Sequence, residues 1–149
     1  MLPEKTREQF EKVVESQLAR IQAMKDQGDF VDYSKLDKII IGVCGGDGIG
    51  PMITSMAQHV LETLLADKVK AGKVEFRVID GLTIERRAEL GCAIPPDVME
   101  ELKACHVILK GPTTTPRKGD PWPNVESANV AMRKALDLFA NVRPVKVPE

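Results

Sequence analysis

The 149-residue chain lacks the features that mark several classes of protein. Neither charge is in surplus, since 21 basic residues balance 22 acidic ones, and this argues against nucleic acid or a membrane surface as the main partner. No window approaches the ~20 apolar residues that a membrane-spanning helix needs. The charged N-terminal segment has no apolar core of the kind found in secretory signals. We therefore expect a soluble, cytoplasmic protein.

Cysteine and histidine are scarce as well. The three cysteines are an odd number and no two are separated by two residues, which favours reduced thiols over a disulfide framework. The two histidines, His59 and His106, have no metal-ligand spacing. Buried, unreactive cysteines are far more common than catalytic thiol–imidazole pairs, so we favour that interpretation. The sequence thus predicts no metal site within this chain.

The N-terminal segment is predicted to form one amphipathic helix over residues 4–27. Its apolar side chains recur at steps of three and four residues and form a single stripe. We assign residues 1–37 to a helical extension with its connector, and residues 38–149 to the main domain. The stripe is expected to be buried against that domain or a neighbouring subunit. The residues that carry this expectation are Phe10, Val14, Leu18 and Ile21.

The main domain is predicted to have an α/β fold. Residues 38–44 are a nearly continuous apolar run with β-branched residues, typical of a strand buried on both faces of a parallel sheet. Strand and helix patterns alternate after it, which indicates right-handed crossovers. The last helix is expected to turn Ala131, Ala135 and Leu138 to one side. The predicted strands are 38–44, 73–79 and 105–110, and the predicted helices are 52–66, 82–90, 96–104 and 127–138, with extended structure over 139–147.

Two loops at the ends of predicted strands are candidate ligand sites. The glycine-rich turn at residues 45–51 precedes a helix, so its amides could face an anion, or it could simply be a tight turn that needs positive φ. Its third glycine position is Pro51, so it is not a dinucleotide fingerprint. Residues 110–116 form a hydroxyl-rich loop, which is either a ligand site or a proline-stiffened surface. In the same proline-rich loop, Trp122 could anchor a lid or cover the core.

The predicted helix that begins at Ser127 carries a third candidate site. Asn129 and Arg133 are four residues apart and share a helix face, and Arg143 follows on the extended segment. Arginine binds carboxylates through a planar fork and keeps its charge. Two arginines, a hydroxyl and an amide would suit a substrate with several carboxylates. The alternative is a capped surface helix whose Arg133 pairs with an acidic neighbour.

Three sequence runs resemble one known family. KIIIGVCGGDGIGP is similar to the opening strand and turn of the isocitrate and 3-isopropylmalate dehydrogenase family. LKGPTTTP and NVESANVAMRKALDLFANVRPVK are similar to its substrate-binding segment. The resemblance covers residues 38–146. It implies a parallel-sheet fold of that family's N-terminal portion, with the amphipathic helix as an addition.

The resemblance also implies roles for individual residues. Ser127 and Asn129 would contact a hydroxy acid, and Arg133 and Arg143 would bind its carboxylates. Thr114 and Thr115 would lie near the nicotinamide of the cofactor. Isocitrate members of the family carry Ser-x-Asn at this helix start, whereas isopropylmalate members carry an apolar residue, so the resemblance favours isocitrate.

The reaction that the resemblance implies is oxidative decarboxylation of a 2-hydroxy tricarboxylate. The cofactors would be NAD or NADP with Mg²⁺ or Mn²⁺, since a divalent cation stabilises the enolate. The complete protein would be a homo-oligomer, with no nucleic-acid or membrane partner. The family's acid/base pair and metal-binding aspartates would lie beyond Glu149. Alternatives are a homoisocitrate or 3-isopropylmalate dehydrogenase fragment, or a non-catalytic module that pairs with a full-length subunit.

We predict that residues 1–149 alone have no dehydrogenase activity, because the sequence shows no candidate acid/base pair or metal cluster after the substrate segment. The measurement is an assay of pure protein with isocitrate, Mg²⁺ or Mn²⁺, and either nicotinamide cofactor. Turnover well above that of a buffer control would contradict the prediction.

Overall fold

A computed structural model describes residues 3–26 and 31–146 and divides the chain into two units, Met1–Lys35 and Leu36–Glu149. The first unit contains helix α1 (Glu4–Asp26) and a short 3-10 turn (Tyr33–Lys35). The predicted helix is therefore confirmed up to Asp26, and its last predicted residue, Gln27, lies outside the described residues. No helix within the described ranges has the length and apolar content needed to cross a bilayer.

The apolar side chains of α1 are exposed in the structure, and their burial against the main domain or a neighbouring subunit stays a prediction. Phe10 is 66% exposed, Val14 38%, Leu18 60% and Ile21 47%, and no residue of the helix is buried. The periodicity predicts an apolar face correctly, but a periodic pattern alone does not specify what covers that face.

The second unit is an α/β structure with a parallel three-stranded sheet, as predicted. Strand β1 (Ile39–Cys44) lies in the centre, with β2 (Val74–Val78) on one side and β3 (Val107–Lys110) on the other. Helix α2 (Gly50–Leu64) follows β1, and Pro51 occupies its first turn, where a missing amide hydrogen costs nothing. The sequence pattern does not predict the short helix α3 (Ala66–Lys70). The elements are β1 (Ile39–Cys44), α2 (Gly50–Leu64), α3 (Ala66–Lys70), β2 (Val74–Val78), α4 (Ile84–Leu90), α5 (Pro96–Lys103), β3 (Val107–Lys110) and α6 (Ala128–Ala135).

One apolar core joins the sheet to α5 and α6. On α5, Val98 and Leu102 are completely buried. On α6, Ala128 and Met132 are buried one turn apart, which anchors this helix to the body of the unit. The core residues are Cys44, Ile79, Leu82, Ile94, Val98, Leu102, Ala128 and Met132.

Helix α6 ends earlier than predicted, at Ala135. Asp137 adopts a left-handed conformation with φ of 48°, and the Leu138 amide donates to the Arg133 carbonyl at 3.1 Å. This is the Schellman arrangement, which stops a helix and turns the chain away. Ala131 packs against the core, whereas Ala135 is exposed and Leu138, beyond the end of the helix, is 55% exposed, so the three do not form one helix side. Residues 139–146 have no regular secondary structure, and Val147, the end of the predicted extended segment, is outside the described residues.

We predict that Leu102→Ala lowers the free energy of unfolding by about 2–5 kcal/mol, because it leaves a cavity in the core. Urea denaturation measures the change. Leu64→Ala is the matched control, since Leu64 is 74% exposed, and it should have a much smaller effect. Equal losses in the two variants would contradict the position of the core.

Candidate functional site

The candidate site lies at the carboxyl ends of β1 and β3. The chain passes from β1 to β2 on one side of the sheet and then to β3 on the other side. In open parallel sheets the ligand crevice lies beside the strand where this direction changes. The turn after β1 and the hydroxyl-rich loop after β3 therefore meet at the position where ligands bind in such folds.

The glycine-rich turn packs directly against the loop after β3. The Asp47 amide donates to the Pro112 carbonyl at 2.8 Å. Gly46 has φ of 71°, and a Cβ atom there would lie 2.1 Å from the same carbonyl oxygen. This geometry supports the tight-turn interpretation, because the Asp47 amide is already bonded to protein.

The side chain of Asp47 connects three segments. One carboxylate oxygen accepts the Ile84 amide at the start of α4, at 2.7 Å, and the other accepts the Thr114 amide at 2.6 Å. The residue is only 9% exposed. A buried carboxylate that accepts two backbone amides compensates its loss of hydration with charge-assisted hydrogen bonds. Asp47 therefore fixes the hydroxyl-rich loop relative to the first turn.

Arg87, on α4, is completely buried and donates to three backbone carbonyls. Its Nε bonds to Ala93 at 2.7 Å, and its two terminal nitrogens bond to Thr114 at 2.7 Å and to Glu126 at 2.9 Å. Burial lowers the pKa of the guanidinium, and the nearby Asp47 carboxylate opposes that shift. The side chain stays charged, since arginine does not lose its proton in proteins.

Together these two side chains bring the predicted cofactor and substrate segments to one place. Thr114 is bonded through its amide to Asp47 and through its carbonyl to Arg87. The same guanidinium binds Glu126, the residue immediately before Ser127. Arg87 thus holds the two ends of the proline-rich loop close together. The start of α6 therefore lies beside the hydroxyl-rich loop.

Neither Asp47 nor Arg87 was singled out from the sequence. A signal for Arg87 is its position three residues after Ile84, which places both side chains on the inner face of α4. A signal for Asp47 is its place in a turn, where carboxylates commonly accept backbone amides.

Lys110 is the last residue of β3. The half-buried Lys110 donates to the Gly111 carbonyl at 2.7 Å and to the Thr113 hydroxyl at 3.2 Å. Burial lowers the pKa of Lys110, Cys44 and Asp47 oppose that shift, and the charges of Arg87 and Arg133 add to it. Acidic and basic groups thus both act on the Lys110 ammonium.

The predicted substrate residues differ in how the structure holds them. Ser127 is the N-cap residue of α6, half-buried, and its hydroxyl makes no capping bond. Asn129 and Arg133 are exposed on α6, and Thr115 is exposed on its loop. Arg143 lies on the exposed, irregular segment after α6, and its approach to the other three stays a prediction. The ion pair at Glu126 is made by Lys134, at 3.2 Å.

Cysteine and histidine side chains near the sheet have structural contacts. Cys44 is buried, and burial raises the pKa of its thiol. Burial also raises the pKa of Cys105, whose sulfur contacts the Glu101 carbonyl at 3.3 Å. The Nδ1 atom of His106 accepts the Ile40 amide at 3.0 Å. Within the described residues, no group of three acidic, histidine or cysteine side chains could hold a metal ion.

Comparison with known proteins decides the family. The family model described as Isocitrate/isopropylmalate dehydrogenase matches residues 40–149, which include every candidate site residue. The chain belongs to this family. Its members are oxidative decarboxylating dehydrogenases. The family resemblance of the sequence is therefore confirmed.

Individual relatives come from both branches of the isocitrate/isopropylmalate dehydrogenase family. The NADP isocitrate dehydrogenase of Caldococcus noboribetus is 40% identical over 74% of this chain. The 3-isopropylmalate dehydrogenase of Anaeromyxobacter dehalogenans is 36% identical over 72% of it. A crystal structure of a beta-decarboxylating dehydrogenase from Thermococcus kodakarensis, in its apo form, is 33% identical with a TM-score of 0.51 over 66% of it.

The chain is short relative to these family members. It spans 25% of the isocitrate dehydrogenase, 30% of the isopropylmalate dehydrogenase and 27% of the chain in the crystal structure. The matched part begins near β1, so helix α1 lies outside the family segment.

We predict that Arg87→Met lowers the free energy of unfolding by about 3 kcal/mol, because it leaves three carbonyls without their charged donor. Amide hydrogen exchange at Thr114 should accelerate as the loop loosens. Arg86→Met is the control, since Arg86 pairs with Asp97 on the surface, and such pairs contribute little. Unchanged exchange at Thr114 in Arg87→Met would contradict this role.

Proposed function

We propose that this chain forms the substrate-carboxylate-binding portion of an NAD- or NADP-dependent isocitrate dehydrogenase, which converts isocitrate to 2-oxoglutarate. The observation that carries the proposal is the pair of carbonyl contacts from Arg87 to Thr114 and Glu126. These contacts support a single site formed by the hydroxyl-rich loop and the start of α6.

The proposed substrate is a 2-hydroxy tricarboxylate. Arg133 and Arg143 would each bind one carboxylate through a planar fork, which gives both charge and orientation. The Ser127 hydroxyl would donate a hydrogen bond to the substrate, and its lack of a capping bond supports this use. Asn129 would bond to the substrate from the exposed side of the same helix turn. The charge of Arg133, which is exposed on α6, would favour an anionic substrate over neutral hydroxy compounds.

The proposed cofactor contacts are Thr114 and Thr115. Since the backbone of Thr114 is already bonded to Asp47 and Arg87, this part of the loop would need no further backbone ordering. A pre-ordered contact costs less conformational entropy when the ligand binds. NAD or NADP would accept the hydride released from C2 of the hydroxy acid.

The described residues do not fit a metal site of their own. No acidic cluster lies among them, so Mg²⁺ or Mn²⁺ would require ligands from outside this part of the chain. By the family resemblance, the acid/base groups would also come from outside this part of the chain. We therefore assign to this chain the binding and orientation of the substrate, and no proton-transfer step.

Two exposed apolar surfaces on this chain support the proposal that further protein packs against it. Helix α2 exposes large apolar side chains, among them Met56 at 68% and Leu64 at 74%. An apolar groove of about 390 Å³ runs beside β3 and α6 and is lined by Leu102, Ile108 and Met132, among others. Exposed apolar surface of this kind marks interaction sites. We propose a homo-oligomeric, cytoplasmic enzyme as the complete form.

A second candidate is 3-isopropylmalate dehydrogenase, which the relatives of that name favour. Ser127 disfavours it, because a hydroxyl would face an isopropyl group that needs an apolar neighbour. Homoisocitrate would meet the same polar residues as isocitrate, and a non-catalytic module paired with a full-length subunit would need none of them.

We predict that Arg133→Ala or Arg143→Ala, in the complete enzyme that contains this segment, lowers kcat/KM for isocitrate by roughly 30-fold or more. Losing one partner of a buried charge pair typically costs ~2–5 kcal/mol. Lys134→Ala is the matched control, since it neighbours Arg133 and pairs on the surface with Glu126. Steady-state kinetics decides the matter, and near-wild-type values in both arginine variants would remove the main support for the proposal.

The same assay separates the two candidate substrates. Ser127→Leu should reduce kcat/KM for isocitrate while leaving the fold intact, because it removes a polar contact and adds an apolar one. Faster turnover of 3-isopropylmalate than of isocitrate by the unaltered enzyme would establish the second candidate instead.

A further inference from the structure

Helix α1, in the first unit, presents an exposed apolar face. Phe10 is 66% exposed and Met24 55%, and no residue along the helix is buried. The helix lies outside residues 40–149, where the family match is found, so the substrate site does not account for the face. The exposed apolar residues, defined here as the α1 stripe, are Phe10, Val13, Val14, Leu18, Ile21 and Met24.

The α1 stripe has the spacing of a coiled-coil seam. Val14 and Ile21 are seven residues apart and occupy equivalent a positions. Phe10 and Met24 then occupy d positions, and the one polar d position is Gln17. Seams of this kind pack knobs into holes against a second helix. The 23-residue helix is about 34 Å long, enough for three heptads.

The charge of α1 argues for a protein partner rather than a membrane. The helix carries five acidic and five basic side chains, so its net charge is zero. Amphipathic helices that lie on membranes are rich in lysine and arginine on the polar face, which attracts anionic lipids. A helix of balanced charge complements another helix of balanced charge.

We propose that the α1 stripe binds the α1 stripe of a second copy of this chain, as an antiparallel two-stranded coiled coil. A parallel pair would place Arg7 against its own copy at an a position, and like charges at such close range are repulsive. The antiparallel pair instead packs Phe10 against Ile21 of the second copy and lays the Arg7 stem along Met24 of the second copy. It also brings Glu4 beside Lys25 of the second copy at both ends of the seam, and it opposes the two helix dipoles.

Sedimentation equilibrium of the whole chain tests the surface. Ile21→Asp should raise the dimer dissociation constant by about 100-fold or more, because it places a charge inside the seam. Ala19→Asp adds the same charge on the opposite face of the helix and should change the constant by no more than about threefold. Fluorescence of Trp122 in both variants would verify that the α/β unit is folded. A monomeric wild type, or equal constants in all three proteins, would overturn the proposal.

Carbodiimide cross-linking tests the orientation. Glu4 and Lys25 are about 32 Å apart within one helix, too far for a zero-length link, so a link between them must join two chains. In an equal mixture of ¹⁴N- and ¹⁵N-labelled protein, mass spectrometry should find Glu4–Lys25 links of mixed isotope. Mixed links between Glu4 and Lys5 would indicate a parallel pair and overturn the antiparallel arrangement, as would the absence of any mixed link.

Discussion

Two backbone hydrogen bonds of Thr114 connect the loop after β3 to the turn after β1 and to helix α4. Its amide is bonded to the Asp47 carboxylate and its carbonyl to the Arg87 guanidinium, and both side chains are buried. A buried ion that lost these partners would incur the full cost of its desolvation. The observed arrangement of the loop after β3 satisfies both buried side chains, and it also holds the start of α6 because Arg87 binds Glu126.

Much of the fold could be predicted because local patterns carry it. The apolar run of β1 and the alternation of strands with helices were sufficient for a parallel α/β sheet. The end of α6 was not predictable in the same way, since it depends on Asp137 adopting φ of 48°, a conformation that glycine usually supplies. Nor does an apolar stripe on α1 specify its own partner, which is a matter of tertiary or quaternary packing.

The sequence predicts only some of the residues that form the site, for a related reason. Ser127 and Thr114 stand at the ends of elements, where sequence motifs are visible. The network around them was missed, because Asp47 and Arg87 bind backbone groups as far as 67 and 39 residues away. Backbone acceptors and donors are present at every position, so no residue type at the far end of such a bond marks it.

Because Asp47 and Arg87 bind backbone atoms of the loop, these hydrogen bonds do not depend on which side chains the bonded residues carry. Arg87 recognises Ala93, Thr114 and Glu126 only through their carbonyl oxygens, which any residue would supply. The side chains of Thr114 and Glu126 are thus exchangeable without loss of these two bonds. Point substitutions at these two positions can therefore change the chemical groups that the loop presents, while its backbone keeps the same hydrogen bonds to Arg87.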